Sequence, residues 1–346
     1  MKANRWLFLF LAICLVFTLA ACSGGGGGSS SDDPSGGGGG QSVISGPWLC
    51  FTSTGESTVS MIKNFPYHTV ISLEYSKNGE PWKDFVIDTT TVYLADGDKV
   101  YLRGDNISFS DNTGKYVKFV MTGPGTIAAS GNVMSLVDKT CASTTIPDNN
   151  CFIKLFENCS IMTTAPELPA IVLKLACYSG MFMGCTSLTA APELPAPSLA
   201  DGCYTAMFYG CSKLTAAPEL PAPSLADSCY QGMFQGCSEL TTAPELPATN
   251  LAEFCYYSMF QGCSKLTTAP ELPATNLANF CYFEMFKGCS KLNYIKVHFT
   301  DWNVVGSTDE WVVGVAASGE FHCPADLPDE VYLGNKKPSG WTRVPF

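Results

Sequence analysis

Apolar residues return at a fixed step through the middle of the chain. In Cys255-Tyr256-x-x-Met259-Phe260-x-Gly262-Cys263 they fall at i, i+1, i+4, i+5 and i+8. That spacing marks one stripe of a short helix. Glycine near the end suits a left-handed C-terminal cap, and Asn158 takes its place in the first unit. The next stretch, Leu266-Thr267-Thr268-Ala269-Pro270-Glu271-Leu272-Pro273, is too rich in proline for helix. It predicts a brief or bulged extended segment, and pattern alone leaves open whether Ala269 and Leu272 both face inward.

The same unit recurs at a constant interval. Pro-Glu-Leu-Pro begins at Pro166, Pro192, Pro218, Pro244 and Pro270, a step of 26 residues. Two cysteine ladders keep that step: Cys151, Cys177, Cys203, Cys229, Cys255, Cys281, and Cys159, Cys185, Cys211, Cys237, Cys263, Cys289. Phe182, Phe208, Phe234, Phe260 and Phe286 follow in register. A fixed period in the twenties predicts a solenoid in which each unit packs only on its neighbours. Stacked strands ~4.8 Å apart would give a spine of roughly 30 Å over the repeats. Each buried Leu or Phe adds ~1.5–3 kcal/mol before entropy. No unit would be stable alone.

The flanks differ. Residues 43–140 carry short β-branched and aromatic runs such as Thr69-Val70-Ile71-Ser72-Leu73, separated by turn signals such as Asn78-Gly79 and Asp96-Gly97. They predict a small antiparallel β-sandwich domain. Residues 141–298 form the repeat array. Residues 299–346 show no repeat, and Trp302, Trp311, Trp341 and Phe346 are candidates to cover its open end as a cap.

At the amino terminus, Lys2 and Arg5 precede an apolar run that ends in Leu19-Ala20-Ala21-Cys22. Residues 1–21 have the layout of a secretory signal peptide. The last four residues resemble the lipobox of bacterial lipoproteins, which implies lipidation of Cys22. The alternative is plain secretion. Residues 22–42 form a Gly/Ser-rich tether. Ser23 does not resemble an inner-membrane retention signal, so the expected location is the outer membrane, with the lipid as the only membrane contact.

Charge and composition narrow the function. The net charge of −11 argues against nucleic acid, which needs a concentrated basic face. Three histidines, His68, His298 and His322, restrict metal and acid–base chemistry. The cysteines admit three readings. Zinc ligands usually sit two to four residues apart, unlike the Cys-x7-Cys spacing here, and no metal is expected. Disulfides suit an exported chain, yet cysteines eight apart on a helix are ~12 Å apart, which leaves bonds between neighbouring units and a Cys50–Cys141 bond open. Buried free thiols are the preferred reading.

Two further columns carry alternatives. Glu167, Glu193, Glu219, Glu245 and Glu271 would stack as a stripe for cations or basic ligands, or as a merely solvated edge. Tyr178, Tyr204, Tyr230, Tyr256 and Tyr282 would form a sugar platform or, the preferred reading, core packing. No acid, base and nucleophile converge in the pattern. His322 beside Cys323 is the only Cys–His adjacency, and sequence neighbours rarely make a catalytic pair. No catalytic residue and no cofactor are expected.

Units such as Tyr204 to Leu214 and Tyr230 to Leu240, Tyr-x-x-Met-Phe-x-Gly-Cys-Ser-x-Leu, resemble the BspA-like leucine-rich repeats of bacterial surface lipoproteins of the Bacteroides type. The resemblance covers about residues 151–297. It implies an α+β leucine-rich-repeat solenoid, with a short strand and a short helix in each rung, behind the β-sandwich. It implies a cell-surface adhesion protein that binds a host or matrix protein or a glycan, without catalysis. A periplasm-facing scaffold and, further off, a glycan-active enzyme using the N-terminal β domain are the competing expectations.

Overall fold

The computed structural model describes residues 46–64, 70–111, 113–328 and 336–346. The expected signal peptide, Cys22, the expected tether and His68 lie outside them.

Eight strands come first: β1 (Leu49–Thr54), β2 (Ser57–Lys63), β3 (Leu73–Lys77), β4 (Lys83–Phe85), β5 (Thr91–Leu94), β6 (Lys99–Gly104), β7 (Val117–Thr122) and β8 (Thr126–Ser130). They alternate buried and exposed positions, as Val59 and Met61 in β2 and Val117, Phe119 and Met121 in β7 show. One sheet has the order β4-β3-β6-β1-β8-β9, where β9 (Met162–Thr164) belongs to the first repeat; a second has the order β5-β2-β7. The inner faces meet where Phe51 of β1 packs edge-on against Phe119 of β7, 5.2 Å between centroids. β9 joins β8 in parallel, so the repeats grow out of the first sheet.

The repeats contain no helix, and the expected α+β leucine-rich-repeat solenoid with a short helix in each rung is corrected. Among the described residues the only helical element is one 3-10 turn, Val133–Leu136, outside the repeats. Each rung is instead a chain of overlapping β-turns. From Cys177 to Cys185 every odd-numbered amide donates three residues back, as Met181 N to Tyr178 O at 3.1 Å and Cys185 N to Phe182 O at 3.0 Å. Every even-numbered amide donates to the next rung, as Tyr178 N to Cys203 O at 3.0 Å and Phe182 N to Met207 O at 2.9 Å. All backbone groups of the segment are thereby paired, which burial demands.

The local chemistry explains the choice. Every second turn places a residue with positive φ at its third position, where a type II turn wants Gly or Asn. These are Ala176, Gly180 and Gly184 in one rung and Ser228, Gly232 and Gly236 two rungs later. A helix would carry two interior glycines in eight residues, at ~1 kcal/mol each. It would also spend every amide internally and leave nothing to bond the neighbouring rung. The apolar step is four residues, whereas a 3.6-residue helix would drift off that stripe.

The proline-rich half of the rung is sparsely paired. Isolated bridges join Ala190 to Ala216 and Ala216 to Thr242, because proline offers no amide. Regular strands occur only at the ends of the array, in β9 and in β10 (Tyr294–Lys296). Ala269 and Leu272 are both buried. β10 starts a parallel sheet with β11 (Glu320–Cys323) and β12 (Thr342–Pro345).

The core is continuous from sandwich to C-terminus. Phe119 of β7 stacks on Phe156 at 5.2 Å, Phe156 on Phe182 at 5.5 Å, and the column runs through Phe208, Phe234 and Phe260 to Phe286. The turn ladder runs on into residues 307–314: Tyr282 N donates to Ser307 O and Phe286 N to Trp311 O, both at 2.8 Å. Trp311 is fully buried at the end of the column, with Phe299, Trp302 and Phe321 around it. Its indole donates to Lys336 O at 2.6 Å.

Candidate binding surface on the turn face

The turns sort the side chains of each rung. Cys, Tyr, Met, Phe and Cys point into the core, and from Cys177 to Cys289 each of them is at most 2 % exposed. The Cys185, Cys211, Cys237, Cys263 and Cys289 thiols each donate to a phenylalanine carbonyl of the preceding rung, 3.0–3.2 Å away. Burial pushes the Cys159 and Cys211 thiols up to about 12. Every described cysteine is a free thiol, Cys50 and Cys141 included. The column from Tyr178 to Tyr282 stacks at 5.9–6.0 Å inside the core. It presents no ring face to solvent.

The glutamates Glu167, Glu193, Glu219, Glu245 and Glu271 are all exposed along the proline-rich edge. Among the described residues only Glu271 of these forms ion pairs, with Lys296 at 2.8 Å and His298 at 2.6 Å. Lys296 first and His298 second hold its carboxyl below the usual range. His322 pairs with Glu320 at 2.9 Å. Among the described residues no three His, Cys, Asp or Glu side chains gather where an ion could sit.

Outward positions on the turn face change from rung to rung. The residue two after each first-ladder cysteine is Ser179, Thr205, Gln231, Tyr257 and then Phe283; the next is Gly180, Ala206, Gly232, Ser258 and Glu284, of which Gly180, Gly232 and Ser258 are buried. The residue before each cysteine is Ala176, Gly202, Ser228, Phe254 and Phe280. The surface therefore begins small and polar and becomes aromatic. Phe254 stacks on Phe280 at 5.0 Å, and Tyr257 stacks on Phe283 at 4.9 Å. Both phenylalanines of the first pair have positive φ, 55° and 53°, a conformation that costs bulky residues of order 1–3 kcal/mol.

Polar links run beside the aromatic patch. Asp201 accepts from the Asp227 amide at 3.3 Å, Asp227 from the Glu253 amide at 3.0 Å, and Glu253 from the Asn279 side chain at 2.7 Å. Lys287 bridges Glu284 and Glu310, 2.6 Å from each. A separate shallow cavity of about 230 Å³ lies between residues 312–317 and 337–339, with Lys337 as its only ionisable lining residue. Repeat consensus singles out what each rung shares, so it passes over Phe254, Tyr257, Phe280 and Phe283; the signal that finds them is departure from the consensus. No protein-family model, no characterised protein and no solved structure matches the chain.

Proposed function

We propose that this chain is a non-enzymatic binding protein of the bacterial cell surface, held to the outer membrane by lipid at Cys22 and presenting its turn face to a host or matrix protein or a glycan. One observation carries the reading. Across the rungs that begin at Cys177, Cys203, Cys229, Cys255 and Cys281, the inward residues are identical, while the half-buried residue two after each of those cysteines is different in all five. Packing alone would leave outward positions free to be any small polar residue. Instead they build a graded surface with strained aromatics on a rigid frame, as recognition by preorganised groups requires. The resemblance to surface lipoproteins and the Gly/Ser tether after Cys22 point the same way, since a tether lets the body stand clear of the membrane.

Two assays test the proposal together. Protease shaving of intact cells should digest the chain, and the purified mature protein should bind immobilised matrix or mucin components. A chain protected in intact cells would favour a periplasm-facing scaffold. Turnover of a glycan by the purified protein would overturn the non-enzymatic reading.

A further inference from the structure

We infer that the step between Ser228 and Phe254 is a subsite for an uncharged pyranose of a neutral glycan. This deepens the proposed binding function and rests on it.

Phe280 covers one face of the Phe254 ring, with 2° between the planes. The rings stack along the array, so the other face of Phe254 looks toward the preceding rung. There the equivalent residue is Ser228, and before it come Gly202 and Ala176. The ring thus forms a wall at the end of a floor of small side chains. The floor is low, since Gly202 carries no side chain and a Cβ there would already crowd the Thr205 hydroxyl at 3.3 Å. The opposite end of the aromatic stack is closed, since a Cβ at Gly306 would strike the Phe280 ring at 2.3 Å.

The banks of this trough have the chemistry of sugar recognition. On one side stand the exposed carboxylates of Asp201 and Asp227, each using one oxygen to accept an amide of the next rung. Fixed carboxylates accept hydrogen bonds from neighbouring hydroxyls on a sugar ring. Nearby lie the amide of Gln231 and the hydroxyl of Thr205, which donates to the Ser228 carbonyl at 2.7 Å and keeps its lone pairs to accept; both residues are half-buried. The C–H face of a pyranose packs on the negative face of an aromatic ring, while a few placed polar groups fix its orientation. Asp201, Asp227 and Glu253 repel sulfated or sialylated chains, so the occupant is neutral. A positive-φ phenylalanine is retained at Phe254 where Gly202 and Ser228 show that small residues fit the same turn.

Two substitutions in the mature protein test the subsite by titration calorimetry. The probes are neutral gluco-, manno-, galacto- and N-acetylglucosamine hexasaccharides, with a heparin hexasaccharide as the anionic arm. Phe254→Ser removes the wall. Ser228→Phe covers it, and it should fold, because Phe254 and Phe280 already occupy the same backbone conformation one and two rungs on. The expected result is binding of at least one neutral hexasaccharide, weakened at least about tenfold by each substitution, with a single cooperative melting transition retained by Ser228→Phe. Three results overturn the inference: no neutral hexasaccharide binds, heparin binds in preference, or both variants bind as the parent does. If no neutral hexasaccharide binds while the parent still binds a matrix protein, the subsite falls and the proposed function stands. Loss of all binding by the parent chain would remove both.

Discussion

The backbone amide of Tyr204 donates to the carbonyl of Cys229 in the next rung, 3.1 Å away, while the amide of its neighbour Cys203 turns back to Ala200 at 3.1 Å. This alternation makes the array one body. The turn segment of each rung closes its own turns with half of its amides and is bonded to the following rung with the other half. The side chains follow: residues that share a turn phase share a column, so phenylalanine stacks on phenylalanine and thiol lies above thiol.

The turn phase makes a prediction whose sign differs from that of a helix. Gly232 has φ of 59°, and a Cβ there would meet only the Gln235 side chain at 3.4 Å. Gly232→Ala therefore tests conformation rather than space. In a helix it would stabilise by about 1 kcal/mol. In this turn it should destabilise by about 1 kcal/mol, because the left-handed region disfavours a Cβ. Urea unfolding of the two proteins reads the sign.

Much of this was legible in the chain. The period of 26 residues, the continuous core and the inward set of Cys, Tyr, Met, Phe and Leu follow from repetition alone. The rung's backbone is not legible in the apolar stripe, because i, i+1, i+4, i+5 and i+8 fits both a helix stripe and a chain of four-residue turns. The discriminating feature is the strict four-residue recurrence of Gly180 and Gly184, or Gly232 and Gly236, at the positive-φ position. Residues 307–314 keep the flanking Gly306 and Gly314 but replace Cys, Met and Phe with Ser307, Trp311 and Val312, so the pattern fades although the hydrogen bonds persist.

The aromatic column should be costly to interrupt. Phe208 is fully buried between Phe182 at 5.6 Å and Phe234 at 5.7 Å. Phe208→Ala should cost about 3–5 kcal/mol in denaturant unfolding. Neighbour-only packing should concentrate faster amide exchange in the rungs on either side. Tyr209→Ala, next in sequence but 42 % exposed, should stay within about 0.5 kcal/mol of the parent.

Stability should fall steeply in alkali. The Cys159 and Cys211 thiols are held up to about 12 by burial, above the ordinary value of 9.0. The unfolded chain releases these protons first, so the native state is favoured fully below about pH 9 and loses that advantage as pH rises toward 12. Each such thiol contributes a slope approaching about 1.4 kcal/mol per pH unit in that window. Denaturation followed across it should show the loss, and Cys211→Ala should flatten it. A stability independent of pH across the window would contradict buried thiols.

The proposed anchor at Cys22 should be separable from the fold. Cys22→Ser should abolish fatty-acid labelling of the chain in growing bacteria and release it from the membrane fraction, leaving urea unfolding of the body unchanged. Labelling that persists in the variant would remove the lipoprotein proposal.

The alternating ladder is tested most directly by scalar coupling across hydrogen bonds in isotope-labelled protein. Magnetisation should pass from the amide nitrogen of Tyr204 to the carbonyl carbon of Cys229, and from that of Phe208 to Met233. Couplings that instead join these amides to the carbonyls of Ala200 and Tyr204, four residues back as in a helix, would contradict it.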